Sequence, residues 1–214
     1  TNTTLATGNY AYRIPVGETG YLSFGLNLGV KSYWARYSQV PLQDESDVAF
    51  GSGLDYTKTL FVAGTGIYFQ NEHFFVGASI PDLIPHDRYD PYYGYLSNHS
   101  VLHSFVMGGA ALPLGESLEL RPSALIRMAK GAPIGFDIGT ALRFKDIVQV
   151  GAMWRPSNGI ALMTQIYFGK NIYIGYAYDL SLNDARGFSG GGHELSIGFD
   201  FSFTKGNIVD SKLF

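Results

Sequence analysis

The sequence predicts an all-β fold, an antiparallel transmembrane β-barrel, and three observations support this fold class. Apolar and polar residues alternate with a period of two through most of the chain. Charged residues make up only 15% of the 214 residues, against about 25% in a typical soluble domain. Short and long connections follow one another along the chain, as they do in bacterial outer-membrane barrels.

The alternation predicts about eleven strands and is clearest between Leu22 and Val30. The apolar residues of this segment share one face of a strand, whereas Ser23, Asn27 and two glycines share the other. The predicted strands cover roughly residues 4–14, 20–34, 58–69, 73–81, 101–112, 117–129, 133–144, 147–155, 159–168, 171–180 and 193–203. We take each as near the ~9–11 residues that a tilted membrane strand needs.

The composition excludes several classes of function. Hydrophobic residues reach 46%, yet no stretch approaches the ~18 uninterrupted apolar residues of a membrane helix. The net charge of -3 argues against a nucleic-acid partner. There is no cysteine, so disulfides and cysteine-ligated metals are excluded. On composition alone, a soluble β-sandwich remains the alternative.

The connections predict the orientation of the barrel. Short turns are predicted at Gly17–Thr19, Gln70–Glu72, Leu114–Ser117, Lys145–Asp146 and Gly169–Asn171, and long connections at Ala35–Thr57, Asp82–Ser100 and Ser181–Gly192. In bacterial barrels the turns are periplasmic and the longer loops extracellular. We therefore expect residues 1–203 to form an outer-membrane barrel with the long loops outside, and residues 204–214 to form a periplasmic C-terminal tail.

The predicted strand count is odd, whereas single-chain bacterial barrels have even counts. An open sheet would leave unpaired backbone groups in lipid, at a cost of several kcal/mol each. The sequence opens on strand-like residues Thr1–Gly8 without a signal peptide. We expect either a miscounted strand or further N-terminal strands, and in the second case the first and last strands here do not pair directly.

Several segments resemble the PorP/SprF family of type IX secretion system outer-membrane proteins. The most specific are the string MAKGAP at 128–133 and the ending YIGYAYDLSL at 173–182 followed by GGHELSIGFDF at 191–201. Further similar segments are 9–30, 47–53, 64–84 and 120–144. The resemblance covers nearly the whole chain and is weakest in the long loops.

The resemblance implies a barrel of about fourteen strands, because family members carry about three further N-terminal strands after a signal peptide. It implies a role in secretion or surface attachment of adhesins, linked to gliding motility, and binding to other proteins of that machinery. It supplies no catalytic residues and no cofactor.

Charges of both signs are predicted on the inward face of the strands, because a charge exposed to lipid is costly. The set is Lys31, Glu119, Arg121, Arg127, Asp137, Arg143, Arg155, Asp179, Glu194 and Asp200. One interpretation is a polar conduit or partner site. The other, which the balance of signs favours, is a salt-bridged interior that makes a narrow barrel rigid, since selective pores use rings of one sign.

Four tyrosines, Tyr89, Tyr92, Tyr93 and Tyr95, form a candidate extracellular recognition loop. Tyrosine offers large contact area at low entropic cost; the equal alternative is a loop that folds over the barrel mouth. A membrane-interface girdle is predicted from Trp34, Trp154, Tyr167, Phe168, Tyr176 and Tyr178.

Two chemical sites have weak support in the sequence. His99 and His103 beside Ser100 and Ser104 are about 13 Å apart in an extended strand, too far for direct coupling. His86 with Asp82, Asp87 and Asp90 matches a metal site less well than a solvated acidic loop. The sequence therefore predicts no catalytic and no metal residue.

The sequence thus favours an outer-membrane secretion component that acts by binding partners. The rival is a porin or hydrophobic-solute transporter, and a barrel enzyme has no supporting motif. A lumen of paired charges would favour the first interpretation, and an open polar passage the second.

Overall fold

The computed structural model describes residues 2–36, 55–84, 87–89, 96–99, 101–156, 158–169, 171–182 and 191–199. These residues form only β-strands, turns and irregular segments. The strands are β1 (Asn2–Val16), β2 (Gly20–Ala35), β3 (Tyr56–Gln70), β4 (Phe74–Ile80), β5 (Asp87–Tyr89), β6 (Leu96–His99), β7 (His103–Ala110), β8 (Leu112–Pro113), β9 (Leu118–Ala129), β10 (Gly135–Phe144), β11 (Val148–Arg155), β12 (Gly159–Phe168), β13 (Ile172–Ser181) and β14 (Gly192–Phe199). Within these ranges no helix has the length and apolar character that a membrane crossing requires.

One antiparallel sheet of 12 strands contains nearly every element. Its order β1-β2-β3-β4-β7-β9-β10-β11-β12-β13-β14 follows the chain, and β8 pairs with β9 beside this path. The five predicted short connections lie together at one end of the sheet, the turn end; the other connections define the loop end. The predicted all-β antiparallel fold is confirmed.

Three details differ from the sequence-based expectation. The predicted strand 101–112 is divided into β7 and β8, because its partner on β9 includes Pro122, which has no N–H for the ladder. A separate two-stranded sheet, β5 with β6, lies in a connection predicted to be a plain loop. Strands β1, β2 and β3 have 15, 16 and 15 residues, longer than the span we assigned to each strand.

The pairing register is strongly staggered. A row of directly opposed residues starts at Tyr21, beside the turn end of β2, and ends at Gly192, at the loop end of β14. The row runs through Tyr21, Gln70, Phe75, Gly109, Ser123, Gly139, Met153, Ala161, Asp179 and Gly192. Such stagger tilts the strands relative to the axis around which a sheet curls, and a barrel requires it.

The two faces of the sheet differ in burial, and the difference is the opposite of that in a soluble protein: the apolar side chains are exposed and charged side chains are buried. One face, the apolar face, exposes large side chains, including Leu26 at 46%, Leu162 at 51% and Leu195 at 74%. The opposite face, the polar face, contains the least exposed charged residues, Asp137 at 4% and Arg143 at 3%. In water such an apolar surface would be far larger than a soluble monomer normally exposes.

The first and last described strands, β1 and β14, stand at opposite ends of the strand order. Within the described residues they do not pair with each other, as we expected. All of β1 is exposed, as is nearly all of β14.

Candidate functional site

Four charged side chains form a connected group near the loop end of the polar face. Arg127 Nη2 donates to Asp137 Oδ1 at 2.6 Å, and Arg155 Nε lies 3.7 Å from Asp137 Oδ2. Arg155 Nη1 also donates to Asp179 Oδ1 at 3.3 Å. The group, here the loop-end network, alternates in sign from β9 to β13 and is neutral as a whole.

The arginine in the middle of this network has to reach across a strand. Arg155 is on β11 and Asp179 is on β13, with β12 between them. The β12 residues opposite Arg155 and Asp179 are Gly159 and Ala161, which have little or no side chain. The small residues on β12 therefore make this ion pair possible.

A second polar group lies near the turn end. Arg121 Nε donates to Glu119 Oε1 at 2.5 Å, and Arg121 Nη1 lies 3.5 Å from Gln149 Oε1. The Arg143 guanidinium stands 4.6 Å from the centre of the Tyr167 ring and forms an ion pair with Asp146 at 3.0 Å. This turn-end network compensates two buried guanidinium groups with carboxylates and an aromatic face.

The candidate charges are brought together only in part. Seven of them, Glu119, Arg121, Arg127, Asp137, Arg143, Arg155 and Asp179, belong to these two networks. Lys31 is on the same face but on β2, where it stands 5.0 Å from the centre of the Tyr33 ring. Glu194 is exposed on β14, and Asp200 lies outside the described residues.

Most residues of the tyrosine loop and of the two weakly supported chemical sites lie in parts of the chain that the structure does not describe. Tyr92, Tyr93, Tyr95, His86, Asp90 and Ser100 lie outside the described residues, and nothing of the side chains of Tyr89, Asp87 and His99 is described. In the described part of the chain no group of three His, Asp or Glu side chains could hold a metal ion.

One residue of the predicted girdle is on the wrong face. Tyr167 is 8% exposed and packs under Arg143, and its hydroxyl donates to Gln165 Oε1 at 3.0 Å. It is directly opposite Tyr173 on the polar face, whereas its neighbour Phe168 is exposed on the apolar face. The assignment of Tyr167 to the girdle was therefore wrong. It rested on the residue being aromatic, whereas the alternation along β12 puts its side chain on the polar face.

Sequence reasoning also missed Gln149 and Asp146. Gln149 could have been predicted, because it is an even number of residues from Arg155 on β11 and its side chain is therefore on the same face. Asp146 is in the turn after β10 and reaches Arg143 only because Lys145 and Asp146 both take positive φ, 48° and 55°. The sequence predicted a turn at Lys145–Asp146 but not this conformation, since turns with two positive φ values favour Asn-Gly.

Large aromatic side chains of the polar face lie flat against glycines of the neighbouring strand. Phe75 is opposite Gly109, and Tyr173 is opposite Gly198. A Cβ at Gly109 would lie 2.6 Å from Phe75 Cε1, and one at Gly198 would lie 2.1 Å from Tyr173 Cε1. The rings therefore cover the glycine backbone instead of projecting away from the sheet.

Taken together, the polar face between β9 and β13 carries two groups of oppositely charged side chains, with no catalytic constellation among the described side chains. Its construction suits a membrane protein whose polar interior is held by cross-strand ion pairs. The apolar face supplies the surface that such a protein exposes to lipid.

Comparison with known families agrees with this description. The family described as type IX secretion system membrane protein PorP/SprF matches residues 1–199. No curated protein and no solved structure matches the chain. The matched family consists of membrane components of a secretion system and is not an enzyme family. Because the match extends over most of the sequence, this chain belongs to the PorP/SprF family of type IX secretion system membrane proteins.

Proposed function

We propose that this protein is an outer-membrane β-barrel of the type IX secretion system that assists secretion or surface attachment of adhesins by binding partner proteins. The observation that carries the proposal is the reversed burial of the two faces of one staggered sheet, with Leu162 exposed and Asp137 buried. A closed barrel puts an apolar face in lipid and a polar face around its lumen.

The proposed barrel requires further strand residues between β1 and β14. Lipid offers no hydrogen bonds to the free edge of a sheet, so both edges have to be paired. We propose that about three additional strands join them, giving an even total of about fourteen. The stagger of the described strands supports this closure, because it supplies the tilt.

The networks favour a partner-binding role over transport. A charge-selective conduit uses rings of charges of one sign along its path, whereas Arg127, Asp137, Arg155 and Asp179 alternate in sign and neutralise one another. The paired charges support a rigid frame that presents loops on one side of the membrane and turns on the other. Adhesin handling and gliding are the specific roles we infer from the family.

A deletion strain tests this function. Loss of the protein should abolish surface display of a type IX-secreted adhesin, and the full-length protein should restore it. A transporter or porin, the alternative function, would instead show normal adhesin display and a change in outer-membrane solute uptake. Purified full-length protein should give little conductance in planar bilayers; a large steady conductance would contradict the proposal.

Cysteine labelling tests the orientation. Single cysteines replacing Ser46, Gly94 or Ser189 in the long connections should react with a membrane-impermeant maleimide on intact cells. A cysteine replacing Gly169, in a turn at the turn end, should react only after the outer membrane is permeabilised. Labelling of the Gly169 site but not of the Gly94 site on intact cells would invert the orientation.

A further inference from the structure

A hollow of about 190 Å³ lies on the polar face between the two charge networks. We call it the wall hollow and define it by Phe75, Ser123, Gly139, Ala141, Met153 and Met163, which line it. These residues come from β4, β9, β10, β11 and β12, so the hollow is built from strands distant in the chain. The ion pairs leave it unfilled.

Small residues form the floor of the wall hollow. Gly139, Ala141 and Ser123 line it, and Gly139 is opposite Ser123 on one side and Met153 on the other. None of the floor residues projects far from the sheet. The ring of Phe75, lying flat over Gly109, forms one side wall.

The lining selects for a neutral, polarisable group. Two methionines and one phenylalanine line the space, and methionine makes favourable contacts with aromatic rings. Met153 Sδ also lies 4.0 Å from Arg155 Nη2 of the loop-end network. No carboxylate lines the hollow. Arg121 and Gln149 also line the hollow, but Arg121 is held by Glu119 and Gln149, so an anionic ligand would have to displace an existing ion pair.

The size of the hollow agrees with this chemistry. An apolar cavity of roughly 150 Å³ is enough to hold a benzene molecule. The wall hollow is partly open, and its volume of about 190 Å³ is enough for one aromatic ring with a small substituent.

We propose that the wall hollow is a binding site for a neutral aromatic ring, held between Met153, Met163 and Phe75. The ring belongs either to a free aromatic compound or to an aromatic side chain of a polypeptide. This inference rests on the polar face alone and does not depend on the secretion role.

Photolabelling of the full-length protein in lipid vesicles tests the site. The probe is 3-phenyl-3-(trifluoromethyl)diazirine, a single neutral ring that also dissolves in lipid. Its adducts are mapped to residues by mass spectrometry. Labelling of Met153 and Met163 should saturate and fall at least tenfold with excess toluene. Labelling of Trp154 and Leu162, their neighbours on the apolar face, should not saturate and serves as the internal control for lipid partitioning.

Matched variants connect the labelling to the hollow. Ser123→Leu replaces a hydroxyl by three carbons in the hollow and should reduce labelling of Met153 and Met163 about tenfold. Ser79→Leu makes the same change on the polar face of β4, outside the hollow, and should leave the labelling unchanged. If Ser123→Leu does not assemble, Ala141→Val offers a smaller filling and should reduce labelling several-fold.

Non-saturable labelling of Met153 and Met163, or equal labelling in the two leucine variants, would overturn the proposal. Equal competition by hexane and toluene would also overturn it, because the site would then not distinguish a ring from an alkyl chain. Competition with N-acetylphenylalanine amide decides the source. If this compound competes as toluene does, the site takes aromatic side chains; if only toluene competes, it takes free compounds.

Discussion

Replacing Asp137 by asparagine should destabilise the protein more than the same change at Asp179 or Asp146. Asp137 is 4% exposed and is contacted by two guanidinium groups, from Arg127 at 2.6 Å and from Arg155 at 3.7 Å. Asparagine keeps the size of the side chain but removes the charge. Two like charges would then face each other across an uncharged amide.

The magnitude follows from how much water reaches the partners. Removing one member of a fully buried ion pair costs about 3–5 kcal/mol. The arginine side chains here are 39% and 33% exposed, so solvent screens part of the loss. We expect the free energy of unfolding to fall by about 2 kcal/mol, between the values for buried and exposed pairs.

The assay is equilibrium unfolding of the full-length protein in lipid vesicles, with urea or guanidinium and tryptophan fluorescence as the signal. Trp154 is the residue before Arg155 and therefore reports on this part of the sheet. Asp146→Asn is the matched control, because Asp146 forms an ion pair with Arg143 at 3.0 Å but its side chain is 76% exposed. Its cost should be about 1 kcal/mol or less, because the buried Arg143 guanidinium keeps its contact with the Tyr167 ring at 4.6 Å.

The loss of unfolding free energy for Asp179→Asn should lie between the losses for these two variants. Asp179 has one arginine partner at 3.3 Å, and its side chain is 36% exposed. The expected order of destabilisation is Asp137→Asn, then Asp179→Asn, then Asp146→Asn. If Asp137→Asn costs no more than Asp146→Asn, the loop-end network does not stabilise the sheet and the argument from burial is wrong.

Three further predictions concern the two faces and the backbone. Leu26→Arg, on the apolar face, should cost roughly 2–4 kcal/mol if it lies at the bilayer midplane, whereas Asn27→Arg should be milder; equal heat-modified migration and equal assembly yield of the two variants would contradict the assignment of faces. Gly198→Val should displace the Tyr173 ring, which a Cβ would approach to 2.1 Å, and should lower stability by about 1–3 kcal/mol in the same unfolding assay. Gly159→Ala should also be destabilising by about 1–3 kcal/mol, because φ is 146° and a Cβ would lie 1.9 Å from the Leu180 carbonyl oxygen; unchanged stability would refute the backbone argument.

The sequence by itself determined the fold class and the facing of most strands. Period-two alternation has the period of strand geometry, so the order of residues alone puts Leu26 and Asn27 on opposite faces. Turn residues such as those at 17–19 and 145–146 marked the strand ends, and the strands then paired in chain order. Family membership followed from segments in the same strands.

The tertiary structure alone decided which residues of the polar face meet. Whether Arg127, Asp137, Arg155 and Asp179 connect depends on register across five strands, and alternation within one strand contains no information about register between strands. The wall hollow also depends on the register between strands, because its lining residues come from five strands between β4 and β12. Local pattern fixed which face each side chain joins, and stagger between strands fixed its neighbours, since a shift of two residues would keep every face and change every partner.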